Sequence, residues 1–266
     1  MTDPAAVARS IVALHGVAKT FANGTAALDR LDLDVRQGEF LSLLGPSGCG
    51  KSTALRLIAG LGAPTRGAIA WSGENADAGR ESSHDIGFVF QEPTLMPWAS
   101  VDANVALPLS LRGLRASAVA PRVKEVLDRV GLTAFADAYP RELSGGMKMR
   151  VSIARALVTS PTLLLMDEPF AALDEITRFK LNNDLLSLWL ALGSTIVFVT
   201  HSVFESVYLS NRIVVMTSRP GRVFTEIAIK APYPREESFR TSAEYAGYCR
   251  VTSEALARAI AEGDAR

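Results

Sequence analysis

The stretch GPSGCGKST at 45–53 constrains the fold of this chain more than any other. It fits the pattern G-x-x-x-x-G-K-[ST]. FLSLLG (40–45) precedes it as an almost continuous apolar run of strand length, and KSTALRLIAGL follows as a helix expected to close at Gly62. A strand ending in a glycine-rich turn that opens a helix is a phosphate-binding arrangement. Gly45, Gly48 and Gly50 let the backbone curl until its N–H groups face phosphate oxygens, while Lys51 extends to the β and γ phosphates and Ser52 offers a hydroxyl to Mg²⁺. Pro46, Ser47, Cys49 and Thr53 complete the loop. A merely flexible glycine turn would not need that strand and helix around it.

The remaining segments extend this core. LDLDV (31–35) alternates in the strand period, and TRGAIAWSG and DIGFVFQ (85–91) read as further strands, so that a β-rich lobe surrounds the loop. From Glu92 the character turns helical through PTLMPWASVDANVALPLSLRG, VAPRVKEVLDRVGL and SGGMKMRVSIARALVTS, which predicts an inserted helical subdomain at about 92–160. In the second of these Val123, Val126, Leu127 and Val130 recur at helical spacing and Gly131 is the stop. Strands return at TLLLMDEP (162–169) and STIVFVTH (194–201), separated by a helix around RFKLNNDLLSLWLALG, the βαβ rhythm of a parallel sheet. NRIVVMTSRPGRVFTEIAI predicts a strand, a Pro-Gly turn and another strand. The fold expected is α/β. One domain spans 1–230, and small helices in a polar extension from 231 to 266 pack on it.

Four polar residues end buried strands, where ligands of open α/β sheets sit. Asp167 is placed to hold Mg²⁺ and Glu168 to polarise a water that attacks the γ-phosphate. Gln91 offers an amide oxygen to Mg²⁺ or to that water, and His201 a hydrogen bond to the γ-phosphate. Taken singly, each is equally well a turn former, a helix cap or a solvated charge; the phosphate loop elsewhere in the chain is what favours the functional reading.

Composition narrows the partners. Lys plus Arg and Asp plus Glu each total 28, so the chain has no general basic field for nucleic acid or anionic lipid, and no nucleic-acid partner is expected. Cys49 and Cys249 form neither metal nor redox spacing, which fits a reducing compartment and an incidental role for both. The start MTDPAAVARSIVALHG lacks the pattern of a secretory signal, and no apolar run approaches the ~20 residues that cross a bilayer. A cytosolic chain is expected, with any membrane spanning left to a partner.

ELSGGMKMR (142–150) is a second glycine-rich turn running into a helix. A helix N-terminus is worth roughly 0.3–1 kcal/mol to an anion, whereas micromolar affinity needs about 8 kcal/mol. This turn cannot recruit a nucleotide alone. It can close on one already held, adding the Ser144 hydroxyl and the N–H groups of Gly145 and Gly146.

With these residues in view, the chain resembles the ATPase subunit of an ABC transporter over almost its whole length. GPSGCGKST is similar to the Walker A loop, Gln91 to the Q-loop, LSGGM to the signature, LLLMDEP to the Walker B strand, AALD with Asp174 to the D-loop, and His201 to the switch histidine. The resemblance implies a P-loop NTPase core with an antiparallel β subdomain, ATP and Mg²⁺ as ligands, and a head-to-tail dimer with a second copy, in which the signature of one subunit faces the phosphate loop of the other. It also implies a transmembrane permease partner, an indirect link to an extracytoplasmic substrate-binding protein, and a peripheral position on the cytoplasmic face of the membrane. Phe21 stands where the family stacks an aromatic on adenine, usually tyrosine; a core aromatic is the alternative. Met147 stands where glutamine is commoner and resembles the importer branch for nitrate, sulfonate and taurine, and related importers of thiamine-precursor pyrimidines. THSVFESVYLSNRIVVM and APYPRE are similar to that branch too, with general family drift as the alternative. TLMPWASV is the expected permease-docking stretch, although core packing serves Leu95, Met96 and Trp98 equally well. A soluble ABC-type ATPase would share the ATP site but commonly carries two ATPase units or a long coiled-coil insertion. A small-molecule P-loop kinase would lack LSGG and His201.

Overall fold

A computed structural model describes residues 9–72 and 85–264, which fall into two compact units. Residues 1–8 of the expected non-signal N-terminus, Gly73 of the TRGAIAWSG strand and the last two residues of the tail lie outside the described residues.

The first unit comprises the described residues up to 72 and from 195 onward. Strands β1 (Ser10–Thr20), β2 (Ala26–Arg36) and β4 (Arg66–Trp71) form an antiparallel sheet in the order β2-β1-β4. In β2 the buried residues Leu31, Leu33 and Val35 alternate with exposed Asp32 and Asp34, the pattern of a sheet with one covered face. The sequence reading assigned no element to Ser10–Thr20; register shifts in its pairing with β2 break the alternation that would have announced it.

Strand β3 (Phe40–Leu44) lies parallel to both β7 (Thr195–Thr200) and β8 (Arg212–Met216), and β9 (Val223–Ala228) runs antiparallel to β8. Every residue of β3, β7 and β8 is buried, as expected of strands covered on both faces. At the entrance to β8, Arg212 meets Glu39 at 2.7 Å with both side chains over nine-tenths buried. Helix α1 (Lys51–Ile58) follows β3 and stops at Ala59, three residues before the predicted Gly62. Helix α6 (Val203–Leu209) follows β7.

The tail differs from the expected small helices. After a 3-10 turn at Glu237–Thr241 it forms one helix of 22 residues, α7 (Ala243–Asp264). No proline interrupts this stretch. Buried Arg235 donates to the carbonyls of Val207, Tyr208 and Ser210, so the APYPRE segment closes the C-terminal end of α6.

The second unit comprises the described residues 85–194. It carries the parallel strands β5 (Ile86–Val89) and β6 (Leu163–Asp167) and the helices α2 (Val101–Leu111), α3 (Ala116–Arg129), α4 (Gly145–Leu157) and α5 (Glu175–Leu192). Helix α2 begins well after the predicted start near residue 93. Pro93 and Pro97 disfavour an earlier start, and Ser100 caps the helix by accepting from the Ala103 N–H at 3.2 Å. Among the described residues no helix is long and apolar enough to cross a membrane.

Candidate functional site

Helix α1 opens directly from the loop that leaves β3. Its N-cap is Gly50 at φ 102, a conformation that a side chain would strain, and a Cβ there would lie 2.5 Å from the Ala27 carbonyl. As a glycine, Gly50 has no side chain with which to cap the helix. The first-turn amides of a helix have no intrahelical acceptor, and a glycine-rich loop at such an end is an arrangement that can seat an anion. Lys51 is 4% exposed, and its ammonium donates to the carbonyls of Gly45 at 2.8 Å and Pro46 at 2.9 Å. The loop therefore already curls around the cation. Ser47 and Gly48 are exposed at its crest, Ser52 and Thr53 are half-buried in the first turn, and the Cys49 thiol is buried beneath.

Register places His201 beside this loop's origin. Leu44 pairs with Thr200, so Gly45 and His201 leave adjacent parallel strands at the same edge. His201 is exposed, and Ser202 after it caps α6 by accepting from the Glu205 N–H. Phe21, in the β1–β2 connection, is 45% exposed with Lys19 Nζ 5.8 Å from its ring centre. Its ring is a surface feature rather than part of the core.

In the second unit the same logic recurs. Val89 pairs with Met166, so exposed Gln91 and the pair Asp167 and Glu168 leave adjacent parallel strands at one edge. Asp167 is 6% exposed. Glu168 has φ 46, a left-handed conformation that costs a non-glycine residue roughly 1–2 kcal/mol. Such strain gathers at functional turns, where the surroundings over-determine it.

Ser144 caps α4, accepting from the Met147 N–H at 3.3 Å, and Gly145 and Gly146 form the first turn. A Cβ on Gly146 would come within 2.7 Å of Thr177 in α5, so α4 and α5 approach closely at this point. Asp174 is exposed and caps α5, and the Thr177 N–H holds its carboxyl below the usual range. The structure thus brings together Gly45–Thr53 and His201 in one unit, and Gln91, Asp167 and Glu168 in the other.

Sequence reasoning missed several residues that fix these positions. Asn104, fully buried, donates to the carbonyls of Met96, Ala99 and Ser100 and accepts from the Met96 N–H, which shapes the TLMPWAS stretch and leaves Trp98 76% exposed. Arg155 of α4 donates to the carbonyls of Pro93 and Thr94, just beyond Gln91, and burial lowers its pKa. Arg219 reaches the phosphate loop. Neither arginine has a local sequence signal, because each acts on a segment more than sixty residues away.

Residues 28–171 match the ABC transporter family. An uncharacterized ABC transporter ATP-binding protein of Methanocaldococcus jannaschii is 48% identical over 85% of this chain and 82% of its own length. The chain belongs to the ABC transporter family. It is an ATP-binding subunit, and its reaction is ATP hydrolysis. The aliphatic sulfonates import ATP-binding protein SsuB of Bacillus cereus is 44% identical over 85% of this ABC subunit and 89% of that protein. Among solved structures, the ATP-binding cassette MJ0796, a dimer in a post-hydrolysis state with ADP and Pi, superposes with TM-score 0.72 at 34% identity, covering 83% of this chain and all of that one. The structure of cbiO1 from Clostridium perfringens, part of the transporter complex cbiONQ, superposes with TM-score 0.75 at 28% identity, covering 94% and 99%.

Proposed function

We propose that this chain is the ATP-hydrolysing motor of a membrane importer whose cargo is a small sulfonate or a related anion. The observation that carries the reading is the glycine N-cap of α1, with Lys51 buried in the curl of the loop that precedes it. The identity to SsuB supports sulfonate over nitrate, taurine or a thiamine-precursor pyrimidine as cargo.

In this reading the Gly45–Thr53 backbone and Lys51 bind the β and γ phosphates, and Phe21 offers a face to adenine. Ser52, Asp167 and Gln91 are oxygen donors, the kind that a hard cation takes, and they would hold Mg²⁺. When bound, that ion neutralises charge developing on the transferred phosphoryl group. Glu168 accepts a proton from the attacking water, and His201 donates to the γ-phosphate. A second copy closes through its own Ser144, Gly145 and Gly146, with Asp174 in the neighbouring loop, and hydrolysis reopens the pair. Helices α2, α3 and α4, moving about Gln91, pass that motion to a permease at the cytoplasmic face of the membrane. Exposed Trp98 lies in the docking stretch. An extracytoplasmic binding protein selects the cargo.

Two experiments test this. Lys51→Ala should abolish ATP turnover without loss of fold, and retained turnover would place the chemistry elsewhere. The tagged chain extracted from native membranes in mild detergent should bring a multi-span permease with it; recovery of ribosomal or DNA-repair proteins alone would overturn the transport reading.

A further inference from the structure

The turn between β8 and β9 lies along the outside of the phosphate loop. A Cβ on Gly45 would sit 3.2 Å from the Met216 carbonyl, and Gly221 approaches the Cys49 carbonyl so closely that no side chain fits there. The Gly221 N–H donates to the Ala27 carbonyl at 2.9 Å, and its own carbonyl accepts from the Asp29 N–H at 3.1 Å. Between these contacts Arg219 Nε donates to the Gly48 carbonyl at 3.0 Å. The turn is itself fixed: the Thr217 hydroxyl donates to the Pro220 carbonyl at 3.2 Å and accepts from the Arg222 N–H at 3.1 Å, while Arg222 pairs with Asp29. On its far side Ser218 packs against Gly263 in the last turn of α7.

The peptide unit is planar and trans, so the Gly48 carbonyl and the Cys49 N–H point in opposite directions. With the carbonyl held outward on Arg219, the Cys49 N–H turns inward and meets the Pro46 carbonyl at 3.3 Å. That is the carbonyl which Lys51 also holds. Gly48 has φ 75, a conformation that a glycine adopts without strain, so the loop reaches this curl at no steric cost to Gly48 itself.

We propose that Arg219 is a positioning residue of the phosphate loop, holding the Gly48–Cys49 peptide so that the loop keeps the curl, closed by the Cys49 N–H on the Pro46 carbonyl, that receives the phosphates of a bound nucleotide. The inference rests on the nucleotide-binding reading above. Because the bond orders the loop before nucleotide arrives, it favours ground state and transition state alike, and its loss raises KM while leaving kcat in place.

The test uses the full chain, titrated with a fluorescent ATP analogue and assayed for ATP turnover. Arg219→Ala is expected to raise Kd and KM about tenfold with kcat within about twofold and the melting temperature unchanged. Arg219→Lys, which restores a donor to Gly48, recovers most of the affinity. An unchanged KM in Arg219→Ala overturns the proposal, as does a fall in kcat at constant KM, or a loss of affinity that tracks the melting temperature and that lysine does not recover. If the unaltered chain fails to bind the analogue, the nucleotide reading itself fails, and that result is separate from any effect of Arg219.

Discussion

The hydroxyl of Thr200 donates to the Glu205 carboxylate at 2.6 Å, across the turn that carries His201. Both residues are buried, and the same hydroxyl accepts from the Ser202 N–H at 3.0 Å. The corner between β7 and α6 is held from two sides, so the exposed histidine rides on a rigid base. Thr200→Val removes a donor and an acceptor together while keeping the shape. It should cost about 1–3 kcal/mol of stability and lower kcat for ATP more than it alters nucleotide affinity. Denaturant unfolding and steady-state kinetics would read both effects, and wild-type stability in the variant would show the corner to be unimportant.

Glu168→Gln should trap an ATP-dependent dimer visible by light scattering, and adding Ser144→Arg should abolish it. A dimer indifferent to ATP and to Ser144 would remove the paired-site mechanism. The φ of 46 at Glu168 adds a second expectation. Glu168→Gly should eliminate turnover without lowering the melting temperature, because glycine relieves a strain of about 1 kcal/mol that offsets its extra unfolded-state entropy.

Burial works most strongly against the Arg212 charge, but the hydrogen bonds and negative charges of Glu39 and Glu226 together outweigh it and raise the pKa above the ordinary guanidinium value. Glu39→Leu strands most of that charge in the interior. Arg212 keeps Glu226 at 2.9 Å, so the cost should fall near the lower end of the roughly 3–5 kcal/mol typical of breaking a buried pair. Urea unfolding of the variant checks the figure, and a loss below about 1 kcal/mol would mean that the pair behaves like a surface bridge.

Burial pushes the pKa values of Tyr208, Tyr245 and Cys249 upward. A folded-state pKa above the unfolded value means that the folded chain holds its proton more tightly. The resulting stabilisation is complete below the unfolded pKa and is lost as pH rises through the folded one. Stability should therefore hold up to about pH 8.5 and decline above it, steeply past about pH 10 where free tyrosine ionises. Urea midpoints at pH 8 and pH 10.5 compare the two regimes, and an equal or higher midpoint at the alkaline value would contradict the assigned sign.

What the sequence disclosed, and what it concealed, follows the range of the forces involved. β3, β6 and β7 were legible because strands covered on both faces must be continuously apolar, α3 because its stop, Gly131, sits in positive φ, and α5 because it connects two such strands. The phosphate loop was legible because its glycines and its lysine are consecutive residues in a fixed pattern. β1 was not, since its bulges disturb the alternation, and α7 was not, since its buried face becomes apparent only once α6 and β8 are there to pack against. Arg155, Arg212 and Arg219 do their work on segments distant in sequence, and a lone arginine in a string of letters carries no hint of which carbonyl it will hold.

The near contact of Gly221 with the Cys49 backbone has a consequence for engineering. Nine residues grafted into another scaffold would bring the letters of the loop without its outer wall, and their backbone would be free to relax away from the curl. The portable unit is discontinuous: residues 45–53 together with 216–222, and a recipient fold must offer both strand ends side by side before the motif can act.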